Sequence, residues 1–346
     1  MLLRIIFERF TAFDHLEAEF SPGINIFIGK NGTGKTHILK ALYAASDITR
    51  SQKSLGEKIT RVFLPSGEQT GRLVKRSAGS SRGYVGIYRR IEDRKEEIAI
   101  QLSLSNHTQS YESARTTGDM KQWMETPLDS AYIPVKDMMA NAPGFRSLYN
   151  MRHIHFEEVY ADIIDRAYLG TLKGPMDKNR KNLLAILQNA MDGKVITKKE
   201  EFFLKNKQGE LEFTLLAEGF RKLALLWMLI QNGTLSTGSV LFWDEPETNL
   251  NPALMKTVIN ILVELQRNGV QIFLSTHDYV ILKELDLQIQ EEDRILYHSL
   301  YRNVATDKIE IKSTSRYQDV EPNAIDETFG DLVRREIERT LGVVAD

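Results

Sequence analysis

The sequence predicts an α/β fold with a mainly parallel core sheet, and three observations support this prediction. In the last third of the chain, short apolar segments alternate with longer amphipathic ones, as in a parallel sheet with helices on its faces. Near the start, the apolar segment 24–28 leads into a glycine-rich loop and a helical pattern over 36–45. The middle of the chain carries short strand-like segments, which indicate a second, β-rich part.

The composition is that of a globular protein, with 27% charged and 42% apolar residues among 346. A net charge of −2 argues against a globally basic nucleic-acid coat protein, although a local basic surface stays possible. The absence of cysteine excludes disulfides, iron–sulfur clusters and thiol catalysis. The apolar run 223–230 is too short to span a membrane, and the N-terminus lacks a signal-peptide pattern. We therefore expect a cytoplasmic protein without a membrane partner.

Periodicity and turn residues predict the elements of the first two thirds. Strands are expected over 2–20 (as a hairpin), 24–28, 73–75, 84–91, 97–104, 131–135 and 194–216. Helices are expected over 36–45 and over most of 137–192. The polar segment 47–70 has no assigned element, and 105–129 is expected to be a loop.

The last third predicts a regular alternation of elements. Helices are expected over 220–231, 252–267 and 279–285, and strands over 240–243, 270–274 and 295–299. The C-terminal segment is amphipathic, and we expect it to be a packing or dimer element. Its apolar residues are Phe329, Leu332, Val333, Ile337 and Leu341.

The loop after the first buried strand satisfies the phosphate-loop pattern G-x-x-x-x-G-K-[ST]. Its residues are Gly29, Lys30, Asn31, Gly32, Thr33, Gly34, Lys35 and Thr36. Glycines allow several backbone N–H groups to face one phosphate, and the N-terminus of the following helix adds a positive dipole. Lys35 is expected to reach the β- and γ-phosphates of ATP, and Thr36 to place its hydroxyl on Mg²⁺.

A second candidate site is the acidic end of the apolar strand 240–243. Carboxylates at the carboxyl end of a strand lie where α/β sheets bind ligands. Asp244 is suited to hold Mg²⁺ against the phosphates, and Glu245 to polarise the attacking water. The alternative is a solvated Asp-Glu turn closed by Pro246. Because each motif predicts the other, the pair favours a nucleotide site.

Five motifs in order resemble the ATP-binding-cassette ATPases of the SMC/RecF/OLD lineage, in particular the compact bacterial AAA-family ATP-binding proteins. They are INIFIGKNGTGKTHILKAL, LLAEGFRKLALL, VLFWDEPETNLNP and FLSTHD, preceded by the N-terminal hairpin. The resemblance implies a P-loop ATPase head with a mainly parallel core sheet, an antiparallel β subdomain and a helical lobe. It predicts a nucleotide lobe over 1–70 and 194–316, a β-rich arm and connecting loop over 71–135, a helical lobe over 136–193 and a C-terminal helical segment over 317–346.

The same resemblance implies roles for residues beyond the phosphate loop. Ala217, Glu218 and Gly219 match the signature loop, which in the family docks on the γ-phosphate held by the other protomer. The family usually has serine at the position of Ala217, so one contact is weakened. Asn249 matches the loop that crosses the dimer interface, and His277 matches the switch histidine at the γ-phosphate.

Three further assignments concern the loop 132–137, two phenylalanines and Asp278. The loop 132–137 lacks the glutamine that the family places near Mg²⁺, and Lys136 or Asp137 could substitute for it. Phe10 and Phe13 are candidates for stacking on adenine, with core packing as the alternative. Asp278 could orient the imidazole of the preceding histidine.

These motifs predict that two protomers close on two ATP·Mg²⁺ and reopen on hydrolysis, as a homodimer or higher oligomer. The expected role is to control a partner protein, plausibly in a bacterial anti-phage or toxin-linked system. A RecF-like DNA-binding repair ATPase is the alternative, and a transporter motor is less favoured. The basic segment 71–90 could bind DNA, with Arg89 and Arg90 as test positions, or could be a solvated face.

Overall fold

A computed structural model describes residues 1–91, 95–152, 154–172 and 174–341. The strands are β1 (Leu2–Phe10), β2 (Phe13–Glu19), β3 (Ile24–Ile28), β4 (Arg82–Ile91), β5 (Glu96–Ser105), β6 (Arg115–Gly118), β7 (Ser130–Ile133), β8 (Lys194–Lys198), β9 (Glu201–Asn206), β10 (Gly209–Glu212), β11 (Val240–Asp244), β12 (Gln271–Thr276), β13 (Ile295–Arg302) and β14 (Ile309–Thr314). The helices are α1 (Lys35–Ser51), α2 (Leu55–Phe63), α3 (Met120–Glu125), α4 (Phe145–Arg152), α5 (Glu158–Ala167), α6 (Lys178–Met191), α7 (Glu218–Gln231), α8 (Pro252–Arg267), α9 (Tyr279–Gln288) and α10 (Ala324–Leu341).

The core is a six-stranded sheet in the order β14-β13-β3-β12-β11-β7. Its pairs are parallel except for the edge pair of β13 with β14, which is antiparallel. Every residue of β3, β11 and β12 is buried, because helices and the second sheet cover the two faces. The predicted α/β fold with a mainly parallel sheet is thereby confirmed.

A second, antiparallel sheet joins the N-terminal hairpin to the middle strands in the order β2-β1-β4-β5-β6. β1 pairs with β4 along most of its length, so the predicted boundary at residue 70 divides strands that the structure keeps in one sheet. β7 also belongs to the parallel core rather than to an arm. These pairings cross large sequence separations, which local periodicity does not report. A third sheet, β10-β9-β8, is also antiparallel.

Several local predictions were wrong where buried polar residues or tight turns interrupt the apolar pattern. The unassigned segment 47–70 contains the end of α1 and all of α2. The segment 73–75 is not a strand. Its first residue ends a 3₁₀ turn, Thr70–Leu73, and Val74 forms an isolated bridge with Phe10. The expected loop 105–129 contains β6 and α3, and β14 was not predicted.

The helix that follows the phosphate loop is anchored by a buried ionic network. Lys58 on α2 is fully buried and lies 2.7 Å from Asp47, 2.6 Å from Glu158 and 2.6 Å from Asp162. Arg166 on α5 lies 2.6 Å from Asp47. The network therefore links α1, α2 and α5, and it fixes the helix whose first residue is the phosphate-loop lysine.

Arg89 does not belong to the exposed basic surface that the sequence suggested. Its side chain is buried, donates from Nη2 to the carbonyls of Trp123 (2.6 Å) and Thr126 (2.9 Å), and lies 4.4 Å from the Trp123 ring centroid. It thus ties β4 to α3, whereas Arg90 is exposed. The difference arises because neighbouring residues of a strand point to opposite faces.

Removing the Arg89 side chain should therefore destabilise the protein rather than weaken DNA binding selectively. We expect Arg89→Ala to lower the free energy of unfolding by about 2–4 kcal/mol, because two buried carbonyls lose their donor and a cavity forms. Arg90→Ala, as the matched control, should stay within about 0.5 kcal/mol of the wild type. Chemical denaturation of both variants tests this, and equal stabilities would contradict it.

The C-terminal amphipathic segment forms α10 and packs on the body only near its start. Ile325 is buried, and the Phe329 ring stacks on Tyr279 of α9 with centroids 4.4 Å apart. The remaining apolar side chains are about half exposed or more: Leu332, Val333, Ile337 and Leu341.

Candidate nucleotide site

Three predicted motifs converge at the carboxyl ends of neighbouring parallel strands. Ile28 at the end of β3 lies beside Thr276 of β12, and Ser275 of β12 lies beside Asp244 at the end of β11. The phosphate loop, the acidic pair and His277 therefore follow three adjacent strand ends. This is the edge where parallel α/β sheets bind ligands.

The phosphate loop adopts a conformation that requires its glycines. Gly29, Gly32 and Gly34 have φ of 150°, 81° and 91°, a region that other residues rarely adopt. A Cβ on Gly34 would also lie 2.4 Å from Cζ of Phe13, so the loop packs directly against that ring.

Phe10 and Phe13 are not available to stack on adenine. Both rings are fully buried and stack against Phe7, with centroid distances of 5.0 and 5.3 Å. The core-packing alternative therefore holds for both.

The lysine of the loop is buried within reach of the loop backbone. Lys35 Nζ donates to the carbonyl of Gly29 at 2.7 Å and lies 3.3 Å from that of Lys30. Burial lowers the pKa of Lys35, and the negative charge of Glu245 and Asp244 opposes this shift. Around it, Thr33 is buried with its hydroxyl on the Lys30 carbonyl, while Lys30, Asn31 and Gly32 are exposed to an incoming ligand.

Asp244 receives three hydroxyl groups from three different elements. Thr36 Oγ1 donates to Oδ1 at 3.1 Å, Tyr132 Oη donates to Oδ2 at 3.1 Å, and the Ser275 hydroxyl also donates to Oδ1. Burial raises the pKa of Tyr132 well above its ordinary value, so the phenol keeps the proton that it donates. The sequence assigned Asp244 and Thr36 to one magnesium site, and these two side chains are in contact. It did not indicate Tyr132 or Ser275.

The residues around Asp244 fit a magnesium ion that is completed by phosphate and water. Among the described residues no group of three or more His, Asp or Glu side chains could hold a metal by itself. Mg²⁺ is instead commonly bound by one or two protein oxygens together with substrate phosphates. Thr36 Oγ1 and Asp244 Oδ1 would supply such a pair of oxygens.

Glu245 and His277 face each other across the strand ends. Glu245 Oε1 lies 3.3 Å from His277 Nδ1, and the Glu245 backbone has a φ of 49°, an uncommon value for this residue type. Glu247 accepts hydrogen bonds at Oε1 from Thr276 Oγ1 (2.8 Å) and from the His277 backbone N–H (3.0 Å). The imidazole therefore lies between two carboxylates.

Asp278 does not orient that imidazole. It is the N-cap of α9, and its carboxylate accepts a hydrogen bond from the Ile281 N–H at 2.9 Å. Glu247, which the sequence reading did not assign, holds the histidine backbone instead. Its position two residues after Glu245, in the turn that follows the same strand, is the signal that could have found it.

The signature and interface loops contact each other in a second cluster. α7 begins at Glu218 with Ala217 as its N-cap, and Ala217 offers no side-chain cap. Asn249 Nδ2 donates to Glu218 Oε2 at 2.9 Å, and a Cβ on Gly219 would lie 3.2 Å from the Asn249 carbonyl. Ala217 is exposed, so the first N–H groups of α7 start at the surface.

Beyond Tyr132, the loop that lacks the family glutamine contacts the signature helix. Asp137 is buried and pairs with Arg221 of α7 at 2.6 Å, while Lys136 is exposed. Burial raises the pKa of Asp137, and Arg221 opposes this shift. The loop contributes to the phosphate end through Tyr132, which lies in its strand, so the suggested substitution by Lys136 or Asp137 finds no contact there.

Comparison with known proteins identifies the family. Residues 24–283, well over half of the chain, match the family described as "AAA domain, putative AbiEii toxin, Type IV TA system". The chain belongs to this family. It is a P-loop AAA-domain ATPase of the SMC/RecF type, as the five motifs predicted.

Solved structures share the fold of this AAA-domain protein. An Smc head bound to the C-terminal winged-helix domain of ScpA matches with a TM-score of 0.59 at 14% identity, covering 91% of this chain and 97% of that one. A Pyrococcus furiosus Smc head bound to a ScpA C-terminal domain matches with a TM-score of 0.58 at 13% identity, covering 97% and 99%. At these identities the likeness establishes the fold.

One stretch of sequence is similar to a repair protein. It is 50% identical over 46 residues to the DNA replication and repair protein RecF of Streptococcus pyogenes serotype M5. The stretch is 13% of this chain, and it spans only 12% of RecF. Among the described residues, no helix has both the length and the apolar character needed to cross a bilayer.

Proposed function

We propose that the protein binds ATP·Mg²⁺ and hydrolyses the β–γ bond. The observation that carries this proposal is the convergence of the phosphate loop, Asp244, Glu245 and His277 at three adjacent strand ends. A chance glycine-rich turn would not meet a buried carboxylate through its threonine hydroxyl.

The residues divide the chemistry between them. The loop N–H groups from Gly29 to Thr36 and Lys35 bind the phosphates, with the N-terminus of α1 adding its dipole. Bound magnesium would neutralise charge on the phosphates, held by Thr36 and Asp244. Glu245 takes a proton from the attacking water, and His277 donates a hydrogen bond to the γ-phosphate.

We further propose that two protomers close on the nucleotides. The support is the N-terminus of α7, where Ala217 is exposed, Glu218 is half-buried and Gly219 is buried. The first N–H groups of a helix favour the binding of an anion. Asn249 contacts the same end of the helix through its hydrogen bond to Glu218. Each protomer would thereby complete the site of the other.

The proposed role is ATP-dependent control of a partner protein in a toxin-linked or anti-phage system in the cytoplasm. The family description names a putative toxin of a type IV toxin–antitoxin system, and the two Smc heads were solved with a ScpA domain bound. A DNA-repair function is the second candidate, and the 46-residue RecF similarity is what favours it. A transporter motor has no supporting observation here.

Light scattering on the Glu245→Gln protein tests the closure directly. With ATP·Mg²⁺ we expect its mass to double, and Ala217→Asp in the same background to keep it monomeric by placing negative charge at the start of α7. Thr214→Asp adds the same charge three residues earlier at an exposed position and should leave the dimer intact. If the Glu245→Gln protein binds ATP but its mass does not change, the proposed closure is contradicted.

Partner and DNA binding are distinguished in the same background. The closed Glu245→Gln protein, used as bait in its native host, should retain a defined protein partner only with ATP. DNA binding that weakens steeply with salt and needs no protein partner would favour the repair function instead.

A further inference from the structure

The end of the core sheet opposite the nucleotide site contains a cavity of about 440 Å³. The segments that lead into β3, β7, β11, β12 and β13 all contribute to its lining, together with the end of β4 and the end of α8. β3 is five residues long, so this cavity lies about 16 Å or more from the phosphate loop. It is therefore separate from the proposed nucleotide site, and its volume is in the range of small-molecule pockets.

The lining is strongly cationic. It includes the four arginines Arg89, Arg90, Arg267 and Arg294, and no acidic side chain of the described residues lines the cavity. This contrasts with the whole chain, whose net charge is −2. Such a concentration of guanidinium groups in a concave surface attracts anions.

These arginines differ in whether a carboxylate already pairs with them. Arg267 is bound by Asp293 through both Nε and Nη2, and by Glu264 through Nη1, so it is already neutralised. No ion pair of Arg90 or Arg294 is found within the described part of the chain, although Glu97 of β5 lies opposite Arg90. The C-terminal carbonyls of α8 bring a partial negative charge of about half a unit, which leaves a clear cationic excess.

Two buried polar atoms in the same lining lack partners. Arg89 is 2% exposed and uses Nη2 on two carbonyls, but its Nε is buried without an acceptor. Gln266 Oε1 is buried without a donor. Burial lowers the pKa of Arg89 to about 10, because no acid near it compensates for the lost hydration. Unpaired buried groups of this kind are uncommon.

We propose that this cavity is a second anion site, which binds the phosphate group of a small phosphorylated ligand. Arg90 and Arg294, which are both exposed, would bind the phosphate oxygens, and the buried Arg89 would add positive charge behind them. The volume of about 440 Å³ favours a compact ligand over an extended polymer.

The test measures binding of inorganic pyrophosphate, and of a nucleoside monophosphate, to the full-length Lys35→Ala protein by calorimetry. Lys35→Ala weakens binding at the phosphate loop, so the signal reports on the cavity. Adding Arg90→Glu and Arg294→Glu should raise the Kd for pyrophosphate at least tenfold. Arg72→Glu with Arg76→Glu makes the same charge change at exposed positions outside the lining and should leave the Kd within about twofold.

Two results would overturn the proposal. One is pyrophosphate binding that is equally weak in the Lys35→Ala parent and in both variants that add two Arg→Glu substitutions to it. The other is a 5′-phosphorylated single-stranded DNA that binds through Arg90 and Arg294 while pyrophosphate does not, which would assign the surface to a nucleic-acid backbone. If the double substitution unfolds the protein, Arg294→Gln alone replaces it in the test, and the Kd for pyrophosphate should again rise. The test does not depend on ATP hydrolysis.

Discussion

Glu245→Gln should reduce the kcat for ATP hydrolysis about 10²- to 10⁴-fold, the usual contribution of a general base. The substitution preserves size but removes the basic oxygen that lies 3.3 Å from His277 Nδ1. ATP affinity should stay within about twofold, because the phosphate loop and the threonine–aspartate pair are untouched. Single-turnover phosphate release and equilibrium ATP binding together measure both expectations.

Glu247→Gln is the matched control, two residues along the same turn. Glu247 acts as a hydrogen-bond acceptor from Thr276 and His277, and its second oxygen, Oε2, is buried without a partner. Burial raises the pKa of Glu247, so a neutral amide that still accepts both bonds should be tolerated. We expect turnover within about threefold of the wild type for Glu247→Gln, and a larger loss for Glu247→Ala, which leaves two buried donors unpaired.

The same Glu→Gln substitution is therefore expected to affect turnover strongly at Glu245 and weakly at Glu247. Wild-type turnover in Glu245→Gln would remove Glu245 from the role of base. Equal loss in both glutamine variants would show that Glu247 also acts through its charge. In either case ATP binding by the variants shows whether the nucleotide site itself has survived.

Lys58→Met should lower the free energy of unfolding by roughly 3–5 kcal/mol, the cost of breaking a buried ion pair by removing one partner. Lys58 is fully buried and is shared by Asp47, Glu158 and Asp162 at 2.6–2.7 Å. Its loss leaves three carboxylates without their common cation. Thermal and urea denaturation of wild type and variant measure the effect.

Lys53→Met is the matched control for this network. Lys53 also lies 2.7 Å from Glu158, but its side chain is 30% exposed, and the carboxylate keeps Lys58. We expect a loss below about 1 kcal/mol, as for other partly exposed pairs. A similar loss in both lysine variants would mean that burial is not what makes Lys58 important.

The pH dependence of the Lys58→Met effect follows from the same carboxylates. Burial already raises the pKa of Asp162 to about 6, even with Lys58 present. Burial also acts to raise the pKa of Asp47 and Glu158, but Lys58 and their other cationic partners hold both below the ordinary value. Without Lys58, these groups bind protons more tightly in the folded than in the unfolded state. The deficit in stability should therefore be full near pH 8 and shrink toward pH 5.

Much of the candidate site could be predicted from the sequence because its determinants are local. Gly29 to Thr36 form one continuous loop between a strand and a helix, and the acidic pair follows one apolar strand directly. Parallel strands bring their carboxyl ends to one edge, so Asp244 and Thr36 were expected to meet before any contact was known. The order of the motifs likewise identified the family. α8 and β3, which have regular or continuous apolar patterns, were predicted at their observed bounds.

The tertiary structure alone decided which distant polar groups are paired. Tyr132 reaches Asp244 across 112 positions, and Arg221 reaches Asp137 across 84. Lys58 and Arg89 are charged residues of types that usually lie at the surface, and yet both are buried. A charged side chain can be buried only where partners from other elements offset its lost hydration, and apolar periodicity carries no record of those partners. Local pattern therefore determined the phosphate-binding loop and the family of this protein, while the packing of distant segments determined what surrounds them.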